Sequence, residues 1–242
     1  VDQEYGIQEG GRPQAPEGNA LSRLWWTIVS PGRLYDDLER APIWWQPWIF
    51  VSVIGLLGLY IATPVRLAVV KLNQGGMSPE QLQKTIEMME KYSFTGYLFV
   101  PIVVLIQALI VSAIGYVVFS VIMAQGEFRK YFTLYLYSNI ILAIGEVVSL
   151  ILVRLKGVDA IQSVSDATVS FGLDFLVPEG HKFIEAAVGS LNVFSIWSFA
   201  IIAMGLMRLF RATLNQAILA VVPLWLVSMV FGLITAVMSK TA

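Results

Sequence analysis

Apolar positions in this chain gather into five long runs, each near the roughly 20 residues a helix needs to cross about 30 Å of hydrocarbon. They cover about residues 48–65, 98–124, 132–153, 186–207 and 212–239. The first lies in a charge-free interval between Arg40 and Arg66, and the third carries a single acid, Glu146. The pattern predicts an all-α, polytopic integral membrane protein: a bundle of five transmembrane helices over residues 48–239, preceded by a polar leader at 1–19 and cytoplasmic juxtamembrane amphipathic helices at 20–47. The leader has no apolar core, so no cleavable signal is expected in it.

Shorter periodicities lie between the runs. In "LSRLWWTIV", Leu21, Leu24, Trp25 and Ile28 fall at helical spacing, the stripe of a short helix lying along a membrane. "SPGRLYDDLERAP" opens with Ser30 as N-cap and Pro31 at the first helical position and stops at Pro42; Leu34 and Leu38 share a face, and Asp36, Asp37, Glu39 and Arg40 are expected to face water. After a turn at Gly75 and Gly76, "SPEQLQKTIEMMEKY" repeats the device, with Ser78 and Gln81 spaced as a capping box and Leu82, Ile86 and Met89 on one stripe. It reads as a surface helix on the bilayer or against a partner.

Composition agrees with a membrane protein: 57% of residues are hydrophobic and 14% charged, with a mean hydropathy of +0.71. Five of the seven tryptophans, Trp25, Trp26, Trp44, Trp45 and Trp48, cluster before the first run. Indole prefers the headgroup layer, so these residues are expected to anchor the membrane interface. Basic residues set the orientation: Arg129 with Lys130, and Arg208 with Arg211, sit in tight turns, which places the N-terminus in the cytoplasm and the C-terminus opposite.

Small residues four apart mark candidate helix-packing interfaces: Gly58 and Ala62, Ala108 and Ser112, Gly145 and Ser149, and Ser228, Gly232 and Ala236. Pro64, Pro101 and Pro223 read as fixed bends. Glu146 costs about 2.5–3.5 kcal/mol at mid-membrane unless protonated, paired or hydrated. Its two readings are an ion or proton site and an interhelical hydrogen bond with Gln107, Asn139, Asn192 or Ser195.

The chain has no cysteine, which excludes thiolate nucleophiles, disulfides and Cys-ligated metals. Its one histidine, His181, is placed in a solvated loop. No phosphate-binding loop, dinucleotide fingerprint or metalloprotease helix is present, and no basic patch suits nucleic acid. The reading is therefore non-enzymatic, with no catalytic residue, metal or cofactor and with bound lipid allowed.

"SLNVFSIWSFAIIAMGLMRLFRAT" resembles the signature of the bacterial Yip1 family through Leu191, Phe194, Ile196, Trp197, Gly205, Leu206 and the turn after Phe210. "SPGRLYDDLERAPIWWQPW" is similar to that family's opening, and the resemblance spans roughly residues 30–238. It implies five helices, a cytoplasmic N-terminus, no catalytic residues and a place in the bacterial cytoplasmic membrane. Eukaryotic relatives carry an acidic-Leu-Tyr-Gly-Pro element and bind small GTPases; this chain lacks that element. The leading functional expectation is a scaffold or accessory subunit packing on other integral membrane proteins or on its own copies. The alternatives are a transporter component with a polar site at Glu146 and a lipid-binding or membrane-organising protein.

Overall fold

The computed structural model describes residues 17–72, 78–123, 126–167, 169, 171–172 and 182–241, the side chains of 90, 93, 94, 164, 165, 182, 183, 185, 186 and 231–241 excepted. The leader before residue 17, the Gly75 and Gly76 turn and His181 lie outside the described residues. The fold is all-α. Among the described residues, eight helices run in order: α1 (Ala20–Val29), α2 (Pro31–Arg40), α3 (Trp45–Leu72), α4 (Pro79–Met123), α5 (Phe128–Lys156), α6 (Lys182–Gly189), α7 (Val193–Leu209) and α8 (Leu214–Thr241). Two 3-10 turns, Val158–Ala160 and Val164–Ala167, follow α5.

Among the described residues, three stretches are long and apolar enough to cross a membrane: Trp45–Leu72, Thr95–Met123 and Phe128–Lys156. Val193–Leu209 is a shorter apolar helix, and α8 is apolar over Leu214–Val230, the part of it whose side chains are described.

Local signals place most helix ends. Asn19 caps α1 by accepting from the Ser22 amide at 2.8 Å, and Pro31 occupies the first position of α2. The Ser30 side chain makes no capping bond; its amide instead closes α1 by donating to the Trp26 carbonyl. Gly157, at φ +93°, ends α5 in a conformation that disfavours any side chain.

Two expectations change. The surface helix at "SPEQLQKTIEMMEKY" and the run at 98–124 are one continuous helix of 45 residues, because the Ser78–Gln81 capping box starts a helix that no residue before Met123 stops. The run at 186–207 is broken. Asn192 and Ser195 exchange bonds of 2.9 and 2.8 Å, and this capping box starts α7 afresh after α6.

Helix α5 is the centre of the bundle, with every residue from Tyr131 to Ser138 buried. It packs along α3 and α7, touches α4, and α8 closes the far side against α4 and α7. Glycines set the closest approaches: a Cβ on Gly205 would stand 2.4 Å from Leu134, and one on Gly145 2.5 Å from Phe194. Aromatic rings from α4, α5 and the α7–α8 turn meet near one end, with Phe119 edge-on to Phe210 at 5.0 Å and tilted against Tyr131 at 5.7 Å. Helix α2 lies on α7, where Leu34, Tyr35 and Leu38 are buried and the Tyr35 hydroxyl donates to the Ile201 carbonyl at 2.8 Å.

Candidate functional site

Helices α1 and α2 are held by a charge pair sealed from solvent. Arg23 Nη2 lies 2.5 Å from Asp37 Oδ2, with the two side chains 0% and 1% exposed. The approach neutralises both charges without satisfying hydrogen-bond angles at those two atoms, and Arg23 Nε has no acceptor among the described residues. Arg23 Nη1 donates to Gln46 Oε1 at 3.0 Å, and the Tyr137 hydroxyl reaches the same oxygen at 3.5 Å. Asp37 Oδ1 accepts from the Glu17 and Gly18 amides at 2.7 and 3.2 Å, and Arg40 pairs with Glu17. Tyr137 lies nine residues beyond Phe128, about 14 Å along α5, so the guanidinium sits beside the bundle rather than past its end. Asp37 is thus a correction to the expected water-facing set. Asp36 stays partly exposed and pairs with Arg208 at 2.8 Å.

The polarity of α1 is reversed relative to a surface helix. Its only charge, Arg23, and Thr27 are fully buried, whereas Leu21 (71%), Trp25 (63%), Ile28 (39%) and Val29 (51%) are exposed. Ser22, the remaining polar residue of α1, is half-buried. Leu24, expected on the apolar stripe, turns inward onto the core together with Trp26. Of the remaining tryptophans, Trp45 is exposed, Trp44 packs on Trp48 and Phe132, and Trp48 Nε1 donates to the Pro101 carbonyl at 2.9 Å. Trp48 therefore clips α3 to α4.

Of the polar residues expected around Glu146, Asn192 alone lines a cavity with it, and none hydrogen-bonds it. Asn192 and Ser195 are used in the α7 cap, Asn139 lies beside the Tyr135 hydroxyl, and Gln107 points outward from α4. Glu146 is exposed in a cleft and has no hydrogen bond or ion pair among the described residues. It lines two adjoining cavities, of about 600 and 380 Å³. The larger lies between α3, α4 and α5 and also carries Arg66; the smaller contains Ser149 and Asn192. Ser149 pins the chain over this region by donating to the Val169 carbonyl at 2.8 Å and accepting from its amide at 3.1 Å.

The small residues are mostly engaged within the chain. Ala62, Ala108 and Ser112 are buried, Gly58 faces Val147 and Leu150, and Gly145 faces Phe194. Ser228 is exposed and donates to the Trp225 carbonyl; the contacts of Gly232 and Ala236 lie outside the described side chains. The outward surface of α4 is different. Leu98, Ile102, Ile106, Ile110, Val117 and Val121 are exposed along one helix. Gln107, at the thirteenth position of the 29-residue apolar stretch Thr95–Met123, is exposed among them without a hydrogen-bond partner among the described residues.

Sequence reading missed the Arg23–Asp37–Gln46–Tyr137 cluster. A signal was present, since Arg23 is the only charge in the ten residues of α1, but nothing in local spacing links it to Asp37.

Comparison with known proteins finds a family model described as the Yip1 domain matching residues 25–236. No curated protein and no solved structure matches.

Proposed function

The chain belongs to the Yip1 domain family, and from that premise we propose that it is a non-enzymatic membrane scaffold or accessory subunit. In this reading it crosses the cytoplasmic membrane of a bacterium five times, with its N-terminus in the cytoplasm. Helix α8, at 28 residues, has the length to span, and α7, at 17, meets the lower end of the spanning range. The partner is another integral membrane protein.

The observation that carries the reading is Gln107. An amide near the middle of a membrane helix, turned away from its own bundle, cannot find water and is satisfied by a polar group on another helix; such bonds contribute about 0.6–2 kcal/mol. The apolar residues around it supply the packing surface. A photo-reactive residue at Ile106 should cross-link a defined membrane protein in native membranes, and Gln107→Leu should reduce its recovery in mild detergent. Absence of any cross-linked partner, or full recovery with the leucine, would overturn the reading.

A second reading, membrane organisation through lipid, is favoured by the outward apolar face of α1. Buried charge and exposed Trp25 suit a helix seated among acyl chains of the cytoplasmic leaflet.

A further inference from the structure

A guanidinium and a carboxylate share the cleft between α3, α4 and α5 without meeting. Arg66 and Glu146 both line the cavity of about 600 Å³, both are exposed, and neither has an ion-pair or hydrogen-bond partner among the described residues. The rest of the lining is largely apolar. Its floor is α3, where Gly55, Gly58 and Ala62 keep the surface low, and Val100 and Leu150 form opposite walls. Val65 packs with Val153, so Arg66 stands near the level of Arg154, eight residues and about 12 Å along α5 from Glu146. Arg66 also borders an adjoining cavity of about 370 Å³ with Thr63, Tyr92 and Tyr97. The cleft thus runs from a cationic, hydroxyl-rich rim to an acidic interior.

We propose that this cleft binds the headgroup of an aminophospholipid, with the phosphate at Arg66, the primary ammonium at Glu146 and the acyl chains outside in the bilayer. An isolated carboxylate in an apolar cleft is costly as an ion, and a ligand ammonium removes that cost by a charge-assisted hydrogen bond. Phosphate alone would satisfy Arg66 but would leave Glu146 unpaired and facing another anion. An amine alone would leave Arg66 unpaired. A headgroup carrying both charges answers both side chains, and the long guanidinium arm together with the length of phosphoethanolamine bridges the offset between them. Primary ammonium is favoured over trimethylammonium because only the former donates hydrogen bonds to a carboxylate.

The test is native mass spectrometry of the purified full chain with phosphatidylethanolamine, its N-monomethyl and N-dimethyl derivatives, phosphatidylcholine and phosphatidylglycerol of matched acyl chains. Phosphatidylethanolamine should be retained roughly ten-fold better than phosphatidylglycerol, with retention falling at each added methyl. Glu146→Gln should abolish the preference, and Glu146→Asp should keep part of it, which separates the carboxylate from any effect on folding. Arg66→Gln should lower retention of all five lipids, and Arg66→Lys should keep most of it. Equal retention of phosphatidylethanolamine and phosphatidylglycerol, a flat methylation series on the unmutated chain, or a preference that survives Glu146→Gln would each overturn the proposal.

Discussion

Arg23 and Asp37, on consecutive short helices, meet at 2.5 Å with both side chains out of solvent, and through Gln46 the pair is tied to Tyr137 of the central helix. Breaking such a pair leaves one uncompensated buried charge, which costs far more than the pair itself contributes. The consequence is local as well as energetic: α1, α2, the start of α3 and the chain at Glu17 share one polar junction.

Arg23→Met should therefore destabilise the protein by about 3–5 kcal/mol, and Asp37→Leu similarly. The double substitution should recover most of that loss, because no lone charge remains. Thermal unfolding in detergent, read for the two single variants and the double, distinguishes this coupling from simple loss of packing. Additive losses in the double variant would count against a buried pair.

Glycines in the bundle should separate into two kinds. Alanine at Gly205 or Gly145 places a Cβ 2.4–2.6 Å from Leu134 or Phe194, so either change should cost about 1–3 kcal/mol by overpacking. At Gly58 the nearest atoms are 3.7 Å away, and alanine there should be tolerated. The ranking of melting temperatures checks both expectations together.

Outside the membrane, Asp166 should make the turn after α5 sensitive to acid. Its Oδ2 accepts from the Ser163 hydroxyl and amide and the Gln162 amide at 2.7, 2.8 and 3.1 Å, which holds its pKa below the ordinary 3.8. A carboxyl whose folded pKa is depressed stabilises above its unfolded value, and that contribution is lost as pH falls through the folded one. Protection of the Gln162 and Ser163 amides, taken relative to the intrinsic exchange rate at each pH, should fall on acidification below about pH 4. Asp166→Asn should exchange faster already at neutral pH and show little further change.

The helical architecture was legible because composition and run length follow from the hydrocarbon thickness, and the Yip1 signature around Trp197 and Gly205 pointed to the family that residues 25–236 match. Helix ends were readable where a local device sets them, as at Ser78–Gln81 and Pro31. What could not be read was pairing at a distance. Helical spacing put Asp37 with its acidic neighbours in water, yet the choice between water and Arg23 is made by how α1 folds back on α2. The polar residues grouped with Glu146 fail for a related reason: a cap for α7 satisfies Asn192 and Ser195 locally before any distant acid can compete. The small-residue stripes were visible as close-approach surfaces, but only packing shows that Gly145 faces the chain's own Phe194.

Helix α1 should lie among lipid acyl chains rather than in water, since Leu21, Trp25, Ile28 and Val29 are exposed while Arg23 and Thr27 are buried. The absence of native cysteine makes this directly measurable, because a thiol introduced at one position is the only one in the chain. An environment-sensitive fluorophore on Leu21→Cys or Ile28→Cys, in liposomes, should be blue-shifted and quenched by nitroxide-labelled lipid but not by iodide. The same probe on Glu39→Cys, at an exposed position of α2, should respond mainly to iodide. Burying one such large apolar side chain contributes about 1.5–3 kcal/mol, so Trp25→Ser should also loosen α1 from the membrane without disturbing the Arg23–Asp37 pair beneath it. If the probe at Ile28 is quenched by iodide as readily as the one at Glu39, α1 faces water, and its apolar surface is left for a soluble partner instead of lipid.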